Sequence, residues 1–186
     1  MSKISLTPNA SGTGTLTIAA PNTSTDRTLT LPDETGTIIS STSNQVAGPA
    51  FSAYGSTLTS VPNNTWTKII FNTENFDTNN CFDTSNYRFT PNVAGYYQFN
   101  ARVGMGPTGT GFAAIKIYKN GSQHIIGDEP LNIASYGAYP SVHGLGWANG
   151  TTDYFEVYVY QNSGSTQNCG SAQSGFPFDG FLAKAV

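Results

Sequence analysis

Phe89-Thr90-Pro91-Asn92-Val93-Ala94-Gly95-Tyr96-Tyr97-Gln98-Phe99 is the stretch on which the fold turns. From residue 96 to residue 103 the side chains alternate in character at a period of two, which sends successive ones to opposite faces of a β-strand. Runs at 66–71, 112–118, 155–160 and 178–186 are also strand-length and rich in the aromatic and β-branched residues that fit a pleated surface. Asn120-Gly121, after Ile115-Lys116-Ile117-Tyr118, is a hairpin signal, and Asn149-Gly150 ahead of Tyr154 is a second. No window holds a helical period with caps. Strands and turns at this spacing make an all-β chain, a sandwich or a jelly roll.

Large side chains stand on both faces of these strands. Tyr96, Tyr158 and Tyr160 alternate with Tyr97, Phe99, Val157 and Val159. One face fills the sandwich and the other needs a partner to cover it.

Composition supports a folded chain and excludes several functions. Only 10% of the 186 residues are charged, but aromatics reach 12%, enough apolar surface to offset chain entropy. The eight Lys and Arg are scattered in a chain of net charge −3, so no basic stripe exists to neutralise nucleic-acid phosphates. No apolar run approaches the roughly 20 residues of a membrane helix, and Met1 to Gly14 lacks the apolar core of a signal peptide. Synthesis in the host cytoplasm without membrane insertion is the expectation. Cys81 and Cys169 are either two unpaired thiols or one bridge between distant loops, and they form no metal site.

The chain divides into residues 1–40, a polar linker at 41–48 and a main domain at 49–186 entered through Gly48-Pro49. Thr15-Leu16-Thr17-Ile18 and Thr28-Leu29-Thr30-Leu31 read as two short strands around a turn-rich Pro21-Asn22-Thr23-Ser24-Thr25-Asp26. So small a unit cannot bury enough surface alone, so Leu16, Ile18, Leu29 and Leu31 are expected to pack on another protein.

Ile70-Phe71, the stretch from Phe82 to Thr90, Gly95-Tyr96-Tyr97-Gln98-Phe99 and the closing Phe178-Asp179-Gly180-Phe181-Leu182 resemble, in order and spacing, the globular head of complement C1q and the related tumour necrosis factor fold. The likeness spans roughly residues 50 to 186, and Phe-Thr-x4-Gly-x-Tyr-x-Phe is its most specific part. It implies a ten-stranded jelly roll that assembles as a homotrimer, with aromatic side chains along the threefold axis. Tyr96, Tyr158 and Tyr160 are the candidate trimer contacts. The family's collagen stalk and secretion signal have no counterpart here. In their place Ala19-Ala20-Pro21-Asn22 and the stretch from Asp26 to Thr37 resemble short segments near the start of phage tail-fibre proteins, which implies attachment to other virion proteins.

Chemistry-bearing residues are few. His124 follows the first Asn-Gly turn and His143 lies in a Gly-rich strand-like run, neither beside a motif nucleophile. Asp128-Glu129 reads as a solvated loop, because glycoside chemistry needs two carboxyls facing across a cleft. No enzyme and no cofactor are expected. Some relatives of this fold bind calcium near the trimer apex, and Asp77, Asp83 and Asp128 offer oxygens, but no clustered Asp-x-Asp-x-Asp pattern joins them. Trp66 and Trp147 are expected in or near the core. Five Asn-x-Ser/Thr triplets, at Asn9, Asn22, Asn63, Asn120 and Asn149, follow from composition alone.

Tyr136 and Tyr139, in Ser135-Tyr136-Gly137-Ala138-Tyr139-Pro140, offer flat amphipathic contact area on a turn. Asn168, in the Ser-, Gln- and Asn-rich loop at 162–175, offers hydrogen bonds to a glycan. These are the candidate receptor residues. Two readings follow: a trimeric bacteriophage fibre or spike tip that recognises a host glycan or surface protein, and a capsid decoration or head-fibre protein with a purely structural role.

Overall fold

Thirteen strands form among the residues that the computed structural model describes, namely 10–15, 17, 19, 22–26, 28, 48–107, 110–132, 137–170 and 176–186. They are β1 Ala50–Tyr54, β2 Thr59–Val61, β3 Thr67–Lys68, β4 Thr73–Asp77, β5 Phe82–Asp83, β6 Arg88–Phe89, β7 Gly95–Arg102, β8 Ala113–Lys119, β9 Ser122–Ile126, β10 Ser141–Ala148, β11 Phe155–Gln161, β12 Gln167–Cys169 and β13 Phe178–Ala185. One sheet runs β10-β7-β13-β1-β4, a second runs β5-β6-β11-β8-β9 with β3 also on β11, and β2 pairs β12. Every pairing is antiparallel. No helix of the described residues is long and apolar enough to cross a membrane.

The chain separates into two units, Met1–Ile38 and Ile39–Val186. In the first, the Thr23 hydroxyl accepts a bond from the Thr25 N–H at 3.1 Å, a local turn bond within the Pro-Asn-Thr-Ser stretch. Leu16, Ile18, Leu29 and Leu31 lie outside the described residues, as does most of the polar linker.

The second unit is a two-sheet sandwich, and the alternation in its strands decides what is inside. On β7 the buried side chains include Tyr97, Phe99 and Ala101; on β11 they include Phe155, Val157, Val159 and Gln161; on β8 they include Ile115 and Ile117. Phe51 of β1 sits at the centre, stacked on Phe89 at 4.2 Å and edge-on to Phe178 at 4.9 Å. Such offset and edge contacts add about 0.5–1.5 kcal/mol per pair beyond burial.

Three local outcomes differ from the sequence expectation or refine it. Asn120 and Gly121 both take positive φ (52° and 76°) and close the β8–β9 hairpin with a two-residue loop, the primed turn that matches strand twist. Asn149-Gly150 is no hairpin: it carries the chain from β10 in one sheet to β11 in the other. The Asn149 side-chain oxygen makes that crossover by accepting the N–H groups of Thr151, Thr152 and Asp153 at 2.9–3.1 Å. Residues 66–71 are not one strand. Only Thr67–Lys68 pairs with β11; the Ile70 N–H then turns to the Thr59 hydroxyl at 3.0 Å, and Ile69 and Phe71 enter the core.

At Gly48 the chain runs hard against β13. A Cβ there would stand 2.2 Å from the Leu182 side chain, while the Leu182 N–H bonds the Pro49 carbonyl at 2.9 Å. Only a glycine lets the incoming chain lie this close to β13.

Candidate recognition surfaces

Three surfaces of the sandwich carry side chains suited to recognition. The first is the outer face of the five-stranded sheet. Alternation that buries Tyr97, Phe99 and Val142 turns Tyr96, Leu145 and Trp147 outward, and Phe181 and Phe76 share that face. Phe76, Tyr96, Leu145, Trp147 and Phe181 are each 44–59% exposed. Trp147 stands opposite Tyr96, and Leu145 and Phe181 flank Gln98, so these side chains occupy neighbouring positions.

The second surface is the end of the sandwich where the chain leaves β7 at Arg102. Met105 bridges Ala138 on one side and Cys169 on the other, so the segments bearing Tyr139 and Asn168 flank one piece of backbone. Tyr139 stacks on Phe176 with ring centroids 5.9 Å apart and planes 11° apart. The Arg102 guanidinium lies 5.5 and 5.4 Å from these two rings. On the adjoining outer face of the five-stranded sheet a depression of about 230 Å³ is lined by Asn100, Arg102, Ser141, His143, Pro177 and Asp179, with the Asn100 amide donating to Asp179 at 3.0 Å. Asn168 is exposed on β12, opposite Ser60. Tyr136 lies outside the described residues. The loops here are tied down by side chains: fully buried Gln161 donates to the carbonyls of Val61 and Ser165 at 3.1 and 2.8 Å and accepts the Ser163 N–H at 2.7 Å.

The third surface is the outer face of the six-stranded sheet. Tyr158 and Tyr160 project here from β11, and Lys116 and Tyr118 from β8. Tyr118 and Tyr158 stack at 4.2 Å, Trp66 lies 5.5 Å from Tyr160 and 6.4 Å from Tyr118, and Phe112 lies 5.7 Å from Tyr160. Burial, and then the neighbouring Glu156 carboxylate, push the Tyr158 hydroxyl above its ordinary range.

Tyr96 therefore does not share a surface with Tyr158 and Tyr160, which the sequence reading grouped together. They stand on opposite outer faces, because β7 and β11 belong to different sheets. Both tryptophans also depart from expectation. Trp147 is 44% exposed and Trp66 is half-buried among surface rings, because each points to the solvent side of its sheet.

Titratable groups are absorbed by local structure. Asp77 accepts the N–H groups of Asn79 and Phe82, Asp83 those of Ser85 and Asn86, and Asp128 that of Ser141. The three carboxylates considered for calcium thus brace different turns, and the described residues contain no group of three or more candidate ligands. Hydrogen bonds from Asn86 hold the Asp83 carboxyl below its usual range. His124 is exposed on β9, and partial desolvation followed by the Lys119 charge lowers its pKa. His143 is exposed on β10. Cys81 and Cys169 are both buried and unpaired, and burial pushes the Cys169 thiol up to about 12.

Leu145, Phe181, Phe76 and the Arg102–Phe176 contact escaped the sequence reading. The glycines of the run at 141–146 mask the strand, but His143, Leu145 and Trp147 fall at a period of two, and that phase is the signal.

No family model matches the sequence, and no curated protein does. Solved structures match its fold. The globular domain of zebrafish complement 1qA is 19% identical with a TM-score of 0.52, over 74% of this chain and 99% of that one. Murine APRIL is 12% identical with a TM-score of 0.53, over 73% and 98%. The PRD1 vertex protein P5 is 14% identical with a TM-score of 0.51, over 74% and 99%. The antiparallel sandwich that follows Gly48 has a C1q/TNF-like jelly-roll fold.

Proposed function

We propose that this chain is a non-enzymatic virion component: a bacteriophage fibre or spike head that trimerises, projects from the particle and recognises a host glycan or surface protein. The observation that carries the assembly is the row of half-exposed rings and Leu145 on the outer face of the five-stranded sheet. Covering such side chains is worth roughly 1 kcal/mol each when about half their surface is still exposed. The shared fold of the PRD1 vertex protein P5 supports a place on a particle, and residues 1–40, with Leu16, Ile18, Leu29 and Leu31, are the proposed attachment to other virion proteins. The segment at Gly48 meets β13 beside Leu182, and Tyr139 and Asn168 lie beyond the Arg102 end of β7, where a projecting head would meet a cell. Three copies would multiply weak contacts through avidity.

Immunogold labelling of particles and binding of the purified chain to susceptible cells test this. Label at a fibre or spike, with cell binding that blocks infection, is the expected result. Label spread over the whole capsid, with no cell binding, would replace the recognition role with a decoration role.

A further inference from the structure

The aromatic face of the six-stranded sheet has a composition that packing alone does not require. Five rings, those of Trp66, Phe112, Tyr118, Tyr158 and Tyr160, contact one another in a continuous strip, and each remains half-buried rather than covered. Lys116 lies in the middle of it. Its ammonium sits 4.3 Å from the Trp66 ring centroid and donates to the Gln123 side-chain oxygen at 2.6 Å. Its partners are thus a neutral amide and a ring, whereas Lys68 and Lys119 are paired with Glu156 and Asp153 at 3.0 and 2.8 Å. Of the other cations that the register places on this face, Lys68 is paired with Glu156 and Arg88 stands opposite Asp83.

We propose that this strip binds an acidic polysaccharide. The inference rests on the recognition reading and moves its main site from the end loops to the side of the head. A sugar ring offers an apolar face of C–H groups that packs on an aromatic plane, and a uronate adds a carboxylate for an ammonium held beside that plane. Ring stacking already fixes the side chains, so little ordering entropy is left to lose on binding. A second copy of this chain is a poorer occupant. Copies that close about a threefold axis must meet through surfaces inclined to one another, and a face directly opposed to the Tyr96 face extends a row instead of closing a ring.

Affinity electrophoresis of the full chain tests the proposal, in gels containing polygalacturonate, alginate or neutral dextran. The uronate polymers are expected to retard the protein and dextran is not. K116Q should weaken retardation about tenfold, while K184Q, which removes the same charge from β13, should leave it unchanged. Y118A should weaken it as well, with light scattering confirming the same assembled mass for every variant. Retardation by neither uronate polymer, equal retardation by dextran, or equal loss in K116Q and K184Q would each overturn the assignment. Cell binding separates the two readings. A chain that binds susceptible cells equally well with and without K116Q and Y118A keeps its recognition role and loses this site, whereas a chain retarded by uronates that binds no cells keeps the site and loses the role.

Discussion

Gln161 shows how a chain with so few charges builds ordered loops. Its side chain is fully buried, and both ends of the amide are used, by Val61, Ser165 and Ser163. A buried donor left without a partner costs about 1–3 kcal/mol. Q161L keeps the volume and strands those three backbone groups, so urea unfolding should show a loss of about 1–3 kcal/mol. Proteolysis should appear first within 162–167. Asp153 does similar work at the opposite end, accepting from Lys119, Asn120 and the Asn149 N–H at 2.7–3.0 Å. Burial raises its pKa, but the bonds from Lys119, Asn120 and Asn149 outweigh that and hold the carboxyl below its ordinary value. Its folded value is lower than its unfolded one, so its contribution is complete above the unfolded pKa of about 3.9 and disappears as pH falls through the folded value. D153N should therefore melt lower than the parent at neutral pH, and the difference between the two should shrink below about pH 4. A difference that stays constant into acid would contradict this account.

At the scale of elements, what the sequence revealed depended on how strongly each strand was patterned. β7, β8, β11 and β13 join long alternation to aromatic and β-branched residues, and each is visible to within a few residues. β4, Thr-Glu-Asn-Phe-Asp, has little strand propensity; it exists because it pairs with β1, a long-range contact invisible to any window. β10 was obscured by its two glycines, which its packing explains: a Cβ on Gly146 would meet the Phe155 and Phe99 rings at 2.9 and 3.2 Å. The candidate surfaces were legible in part for the same reason. Alternation tells that Tyr96 and Tyr160 both face outward, but sheet membership decides which way outward points, and that is set by topology. Gly48 offers a test of how the head begins. G48V would drive a branched side chain into Leu182 where β13 and the incoming chain already touch. Overpacking of this kind costs about 1–3 kcal/mol, and a shift of the unfolding midpoint without change in slope would report it.

On the scale of the whole molecule, the two sheets face outward with different chemistry. The five-stranded sheet shows single large apolar groups, Leu145, Phe181, Phe76, Tyr96 and Trp147, separated by Gln98, Asn100 and Asp179. The six-stranded sheet shows rings already stacked on one another and on a lysine. Groups of the first kind gain most from a complementary surface that excludes water; groups of the second kind have found much of their contact within the chain. The proposed trimer therefore uses the first face, and light scattering should give three times 19.7 kDa at micromolar concentration. L145D places a charge among the apolar groups of that face, and taking a charge out of water there costs several kcal/mol. The variant should fall to a monomer and melt at a lower temperature, because association stabilises only the folded state, and the parent's melting temperature should rise with concentration. Y160A, on the opposite face, should leave the trimer intact. If Y160A dissociates the assembly and L145D does not, the contact surface is the six-stranded sheet, and the strip around Lys116 lies between copies instead of facing a ligand.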